Sequence, residues 1–343
     1  MNNIIEGIPA AKRPQVQTIC VDEDEAQQRV DNFLMRHLKG VPKTHIYRLI
    51  RAGEVRVNKG RVKADTRLLA GDLVRLPPVR ISERVAEKAQ SMRQASQRAP
   101  ACEFKVLMED ESLLVIDKPA GVSVHGGSGV SFGVIEQLRM ARPQAKFLEL
   151  VHRLDRDTSG LLMVAKKRSA LKNLQNQFRA RQTGKTYLAV VKGVWPEKLK
   201  VLDKPLFKYL LGASDAQAGE RRVRVVSRDD PQGMPSVSLV KVQARSAQFS
   251  LLEVTIKTGR THQIRVHLAS EGHPILGDDK YGDFELNKLL ARSGAQPGLR
   301  RMFLHAWRLQ FDHPVSAERL QLVSELSAEL VQFSSAAFLP KTS

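Results

Sequence analysis

The chain has 343 residues, 42% of them apolar, and its 55 Lys plus Arg against 36 Asp plus Glu leave a formal net charge of +19. That length allows two domains, one with a sizeable core, and the apolar share excludes a disordered chain. The surplus of positive charge favours a polyanionic partner, nucleic acid first, while no apolar run nears the roughly 20 residues that span a bilayer.

Residues 1–17 read as a flexible N-terminus without the continuous apolar segment of a secretory signal, so a cytoplasmic protein is expected. Cys20 and Cys102 have no close spacing and suggest neither a disulfide framework nor a metal cluster. The first structured piece is predicted over 18–79. In "EAQQRVDNFLMRHL" the spacing puts Val30, Phe33, Leu34 and Leu38 on one helical face. A second short helix follows Pro42, with Ile46, Leu49 and Ile50 inward, Thr44 able to cap it and Gly53 available as its stop. "EVRVNKGRVK" alternates about Asn58-Lys59-Gly60 and reads as a hairpin, and "AGDLVRLPP" closes the piece as a strand.

Between residues 36 and 63 nine Lys or Arg face one acid, Glu54. A charge run is often only a solvated face, but this one covers two helices and a hairpin of one small unit, which points to nucleic acid. Arg36, Lys43, Arg48, Arg51, Arg56, Lys59 and Arg61 are the candidate RNA contacts. "RVDNFL…IYRLIRAGEVRVNKGRV" resembles the alpha-L RNA-binding module first seen in a small-subunit ribosomal protein, with Pro42-Lys43-Thr44 in place of the usual basic opening of the second helix.

Residues 80–101 hold few large apolar side chains and are predicted to be a mobile linker; the remaining domain is expected over 102–335. There "FKVLMED", "SLLVIDKPAG", "KTYLAVVKGVW" and "FSLLEVTIKTG" read as strands, 132–141 and 169–181 as helices, and "RTHQIRVHLASEG" as a helix starting at a Thr261 cap. With neither strict strand–helix alternation nor a Gly-x-Gly-x-x-Gly loop, the expected class is α+β, a mixed and mostly antiparallel sheet with flanking helices.

The most telling stretch is "VHRLDRDTSGLLMVAKK", 151–167, which would project Asp155 from a loop between His152 and Leu161. An Asp in such a loop ordinarily caps it or pairs with Arg153 or Arg156. As chemistry, the surroundings exclude several options. Ser159 lacks a Gly-x-Ser-x-Gly elbow, the arginines discourage a metal at Asp155 and Asp157, and His262 and His267 miss the His-Glu-x-x-His zinc spacing. No second carboxylate offers itself for a retaining glycosidase. One ionised acid in a basic setting suits attack on a nucleoside's glycosidic bond.

The stretch "HRLDRDTSGLLMVAKK" resembles the active-site motif of the RluA-type pseudouridine synthases, and "KTYLAVVKG" (185–193) and "GRTHQIRVHLASEGHPILGDDKYG" (259–282) resemble that family's later signatures. The resemblance covers about residues 102–320 and implies the pseudouridine synthase fold. With the N-terminal module it lies nearest the branch that modifies large-subunit (23S) ribosomal RNA, and monomers are the family's default. Carried over, Asp155 would be the catalytic carboxylate, Tyr187 would lie against the uracil and take the ribose proton, and Arg265 would pair with Asp155. Leu154 and Ile264 would line the pocket, and Arg153 would fill the gap left by the flipped base. No cofactor or metal is implied, and no membrane partner. The rival reading is a non-catalytic RNA-binding ribosome-assembly factor with a decayed synthase domain; the joint presence of Asp155, Tyr187 and Arg265 speaks against it.

Overall fold

The computed structural model describes residues 16–22, 25–38, 41–79, 99–126, 132–211, 220–292, 294 and 298–338. The chain divides into two compact units, Met1–Arg98 and Ala99–Ser343. Most of the expected N-terminal tail (1–17) and linker (80–101) lies outside the described residues.

The first unit comprises β1 (Gln17–Cys20), α1 (Val30–His37), α2 (Lys43–Ala52), β2 (Arg56–Val57), β3 (Gly60–Arg61) and β4 (Leu73–Leu76). Val30, Phe33 and Leu34 meet Ile46, Leu49 and Ile50 in one buried cluster, as the helical spacing predicts. α1 starts later than expected, because Arg29 is extended and its guanidinium grips Asp31 at 2.6 Å. Thr44 does not cap α2: Pro42 holds the N-cap position and Thr44 lies within the first turn. Gly53 ends α2 at φ +70°, its N–H bonding to the carbonyls of Leu49 and Ile50. Asn58 and Lys59, at φ +49° and +69°, make the tight turn of the hairpin. β1 has no counterpart in the sequence reading. It pairs antiparallel with β4, and four residues are too few to show alternation.

The second unit runs β5 (Lys105–Glu109), β6 (Leu113–Lys118), α3 (Val134–Ala141), β7 (Glu149–Leu150), β8 (Ser159–Ala165), α4 (Arg168–Arg179), β9 (Gly184–Lys192) and β10 (Val201–Asp203). Then follow β11 (Leu206–Leu211), β12 (Glu220–Val225), β13 (Val237–Arg245), β14 (Phe249–Ile256), α5 (Gln263–Ser270), α6 (Phe284–Ala291), β15 (Leu304–Asp312), β16 (Arg319–Val323) and α7 (Ala328–Phe338). Its main sheet has the order β10-β13-β14-β9-β15-β8-β6-β5, with β16 joined to β15 and β7 to β8. Only β15 and β8 run parallel, through His305–Ser159 and Ala306–Gly160; all other pairs in the described residues are antiparallel. The mixed, mostly antiparallel sheet with helices is the expected α+β class.

The central strands are buried on both faces, which is why they read as continuous apolar runs. Leu114 and Ile116 of β6 join Leu162 and Val164 of β8 and the helix residues Leu138 and Ile264 on one side. Leu113, Val115, Leu161 and Met163 meet Ala170 and Leu174 of α4 on the other. No helix among the described residues is long and apolar enough to cross a membrane.

Candidate active site

β7 ends at Leu150 and β8 begins at Ser159, so Asp155 sits mid-loop, where Thr158 N–H bonds back to its carbonyl at 3.2 Å. The loop's exit is fixed by Gly160, at φ +105°: a Cβ there would lie 2.3 Å from the carbonyl oxygen of Ala306 on the parallel strand. A cavity of about 370 Å³ opens beside the loop. Arg153, Leu154, Asp155, Tyr187, Ile264 and Arg265, drawn from three separated stretches of sequence, all line it. Arg153 is exposed, whereas Leu154 and Ile264 are buried.

Tyr187 lies on β9 between Val254 of β14 and Ala306 of β15 and is 8% exposed. Its hydroxyl makes no hydrogen bond among the described residues, and the residue lines the cavity. Burial, reinforced by the charge of Asp155, pushes its pKa well above the ordinary tyrosine value, so it is a neutral phenol at neutral pH.

Arg265 comes from α5, a helix buried over Gln263–Leu268. Its start differs from expectation. Thr261 does not cap it; His262 takes the N-cap position at φ +52°, and the Gln263 side chain folds back to accept from Thr258 Oγ1 (2.8 Å) and Arg260 N–H (3.0 Å). Arg265 Nη1 approaches Asp155 Oδ2 to 3.5 Å, an ion pair at the limit of hydrogen-bond range. Its tight partner is another acid. Nε and Nη2 donate a bidentate fork to Asp278, both at 2.7 Å, and Nη2 reaches Asp279 at 3.1 Å. Burial alone would lower the Arg265 pKa, but the Asp278 bonds and the three carboxylate charges outweigh it and hold the guanidinium firmly charged. Burial likewise raises Asp278, and Arg265 with the N–H groups of Lys280 and Tyr281 brings it below the usual carboxylate range. The Tyr281 ring lies under the guanidinium at 5.3 Å, and its hydroxyl meets His262 Nδ1 at 2.9 Å.

Three supports are absent from the sequence reading. Asp278 lies in "GDDKYG", where two adjacent acids give no sign of which one turns inward. Lys118, fully buried, donates from Nζ to the carbonyls of Pro119 (2.8 Å), Val122 (2.8 Å) and Arg156 (2.9 Å), tying the Lys-Pro-Ala-Gly turn to the Asp155 loop; burial lowers its pKa to about 7. Beneath the loop, Arg301 Nη2 donates to Ser159 Oγ (2.7 Å), Ser159 meets His305 Nδ1 (2.8 Å), and His305 Nε2 meets the Ser324 carbonyl (2.9 Å). That chain closes with a neutral His305 donating from Nε2, as its burial-lowered pKa requires.

The candidate RNA contacts lie on the first unit. Arg36 is on α1, Lys43, Arg48 and Arg51 on α2, Arg56 on β2, Lys59 in the turn and Arg61 on β3. All are exposed except the half-buried Arg56, and Arg36 is paired with Glu25 at 3.0 Å.

Comparison with known proteins matches residues 112–270 to the family of RNA pseudouridylate synthases and residues 28–74 to the S4 domain. The ribosomal large subunit pseudouridine synthase C of Pasteurella multocida is 50% identical over 316 residues, 92% of each chain. That of Escherichia coli K12 is 50% identical over 317 residues, 92% of this chain and 95% of the other. Among solved structures, human RNA pseudouridylate synthase domain containing 4 superposes with a TM-score of 0.55 at 27% identity, covering 72% of this chain and 97% of that one.

Proposed function

The chain belongs to the RNA pseudouridylate synthase family, and from that membership we propose that it isomerises specific uridines of large-subunit ribosomal RNA to pseudouridine. One observation carries the reading: Asp155, Tyr187 and Arg265 line one cavity in a chain half identical, over 92% of its length, to relatives named for that activity.

In this proposal the target uridine leaves the RNA stack at a cost of a few kcal/mol, offset in part by Arg153 entering the gap as a flat, hydrogen-bonding cation. Leu154 and Ile264 supply apolar wall and help exclude water that would hydrolyse a detached base. Asp155 attacks or electrostatically stabilises the ribosyl C1′ as the bond to N1 breaks. Arg265, anchored by Asp278, keeps the Asp155 carboxylate ionised and aimed. Tyr187 packs against the uracil as a neutral phenol, so a ribose proton that it takes during rearrangement is matched by release of its own and is afterwards returned to the ribose. An isomerisation of this kind needs no cofactor in this account. The S4 domain, through Arg36, Lys43, Arg48, Arg51, Arg56, Lys59 and Arg61, holds neighbouring RNA, and the protein acts as a cytoplasmic monomer.

The test is to map pseudouridines in ribosomal RNA from cells with and without this protein. Specific large-subunit positions should revert to uridine in its absence. Identical maps would remove ribosomal RNA as the substrate.

A further inference from the structure

Lys185 is a cation inside the cavity without a counter-ion. It lies on β9 two residues before Tyr187, hence on the same strand face, with Cα atoms about 7 Å apart. Its side chain lines the cavity that holds Asp155, with Nζ 5.2 Å from the centre of the Phe178 ring. Among the described residues the ammonium makes no hydrogen bond and no ion pair. Burial lowers its pKa and no acid restores it. Neighbouring His152 adds no second positive charge, since burial and the Lys185 charge hold its ring neutral down to about pH 4.

The other cations at the cavity are engaged elsewhere or exposed. Arg265 is bound by Asp278 and Asp279. Arg260 donates to the Pro235 carbonyl, Arg179 to Asn176, and Arg153 is exposed. Lys185 is half-buried, and a partly desolvated charge with nothing to neutralise it costs some stability, which is tolerable where a ligand brings the opposite charge.

The reaction proposed above, on which this inference rests, creates such a charge. When C1′–N1 breaks, the electron pair departs with the base and spreads over N1 and the ring carbonyl oxygens, while the Asp155 carboxylate meets C1′. Once the base has turned, C5 bonds to C1′ and releases Asp155; the proton on C5 is then lost and N1 gains one, so nothing is consumed. We propose that Lys185 is a further catalytic residue, its ammonium donating a hydrogen bond to a carbonyl oxygen of the target uracil and stabilising the anionic base between departure and reattachment. Lys185 exchanges no proton in this role. It acts as the donor of an oxyanion hole acts, through a preplaced charge in a water-poor site.

The test compares wild type, Lys185→Met, Lys185→Gln and Lys185→Arg at saturating enzyme on a ribosomal RNA fragment bearing the target uridine, with single-turnover rate and RNA affinity measured separately. Lys185→Met should slow the chemical step by about 10²-fold or more while leaving affinity within about threefold, with Lys185→Arg recovering much of the rate. It should also melt no lower than wild type, because it removes an unpaired charge; should it misfold, Lys185→Gln carries the same kinetic test. Replacing the target by 5-fluorouridine makes the departing base less basic, so the Lys185→Met deficit, followed on that substrate as loss of the starting nucleoside because its C5 has no proton to release, should shrink. An unimpaired rate, a loss confined to affinity (a backbone-phosphate contact), or an equal deficit on both substrates would overturn the role of Lys185 while wild type remains active. An inactive wild type would instead overturn the underlying reading, and this inference with it.

Discussion

At the scale of single residues, the site is organised less by Asp155 than by the group that faces it. Arg265 meets three carboxylates, but unequally: 2.7 Å and bidentate to Asp278, 3.1 Å to Asp279 and 3.5 Å to Asp155. The fully buried Asp278 therefore sets where the guanidinium points, and the looser Asp155 is left available to substrate. Breaking a buried pair on one side leaves an uncompensated charge and costs about 3–5 kcal/mol. Asp278→Asn should accordingly lower the melting temperature by many degrees and reduce pseudouridine formation beyond the unfolded fraction. Unchanged melting and turnover would show that Arg265 does not depend on that fork. The resemblance makes Arg265 legible as the partner of Asp155, but the choice between Asp278 and Asp279 is not legible, because it depends on which way the chain turns after Gly277.

At the scale of elements, the loop carrying Asp155 is pinned on several sides: by Gly160 against β15, by Lys118 from below and by His152 at its start. The His152 ring stacks on Phe178 of α4 at 5.0 Å and its Nε2 accepts from Met163 N–H of β8 at 3.2 Å, a bond that only the neutral ring can accept. Its folded pKa of about 4 lies below the ordinary 6.5, so the unfolded chain takes up a proton first as pH falls. His152 thus contributes stability that is present above about pH 6.5 and is lost between about 6.5 and 4. Denaturant titrations across that window should show a shallower loss for His152→Gln than for wild type; parallel curves would contradict a half-buried histidine held neutral by the fold. β6 and β8 are legible because strands buried on both faces must be continuously apolar, β9 through its apolar stretch from Tyr187 to Val191, and β14 because buried and half-buried positions alternate along most of it. β1 and the first turn of α5 are not. One is set by pairing with a strand over fifty residues away, the other by a Gln263 side chain that folds back, and neither leaves a local periodicity.

At the scale of the whole molecule, the net charge of +19 includes a concentrated share in the first unit, where nine basic residues face one acid over 36–63. If that unit holds RNA through phosphates, deleting residues 1–79 should weaken binding and flatten its dependence on salt by about 0.7–0.9 in log–log slope for each phosphate no longer neutralised. An unchanged slope would assign all RNA binding to the second unit. The central claim is narrower: one carboxylate in the cavity of the second unit performs the isomerisation. Purified wild type and Asp155→Asn should be compared on a large-subunit ribosomal RNA fragment, following pseudouridine formation and RNA affinity together. The account predicts that Asp155→Asn binds as wild type does and forms no pseudouridine; product at a rate near wild type would contradict it.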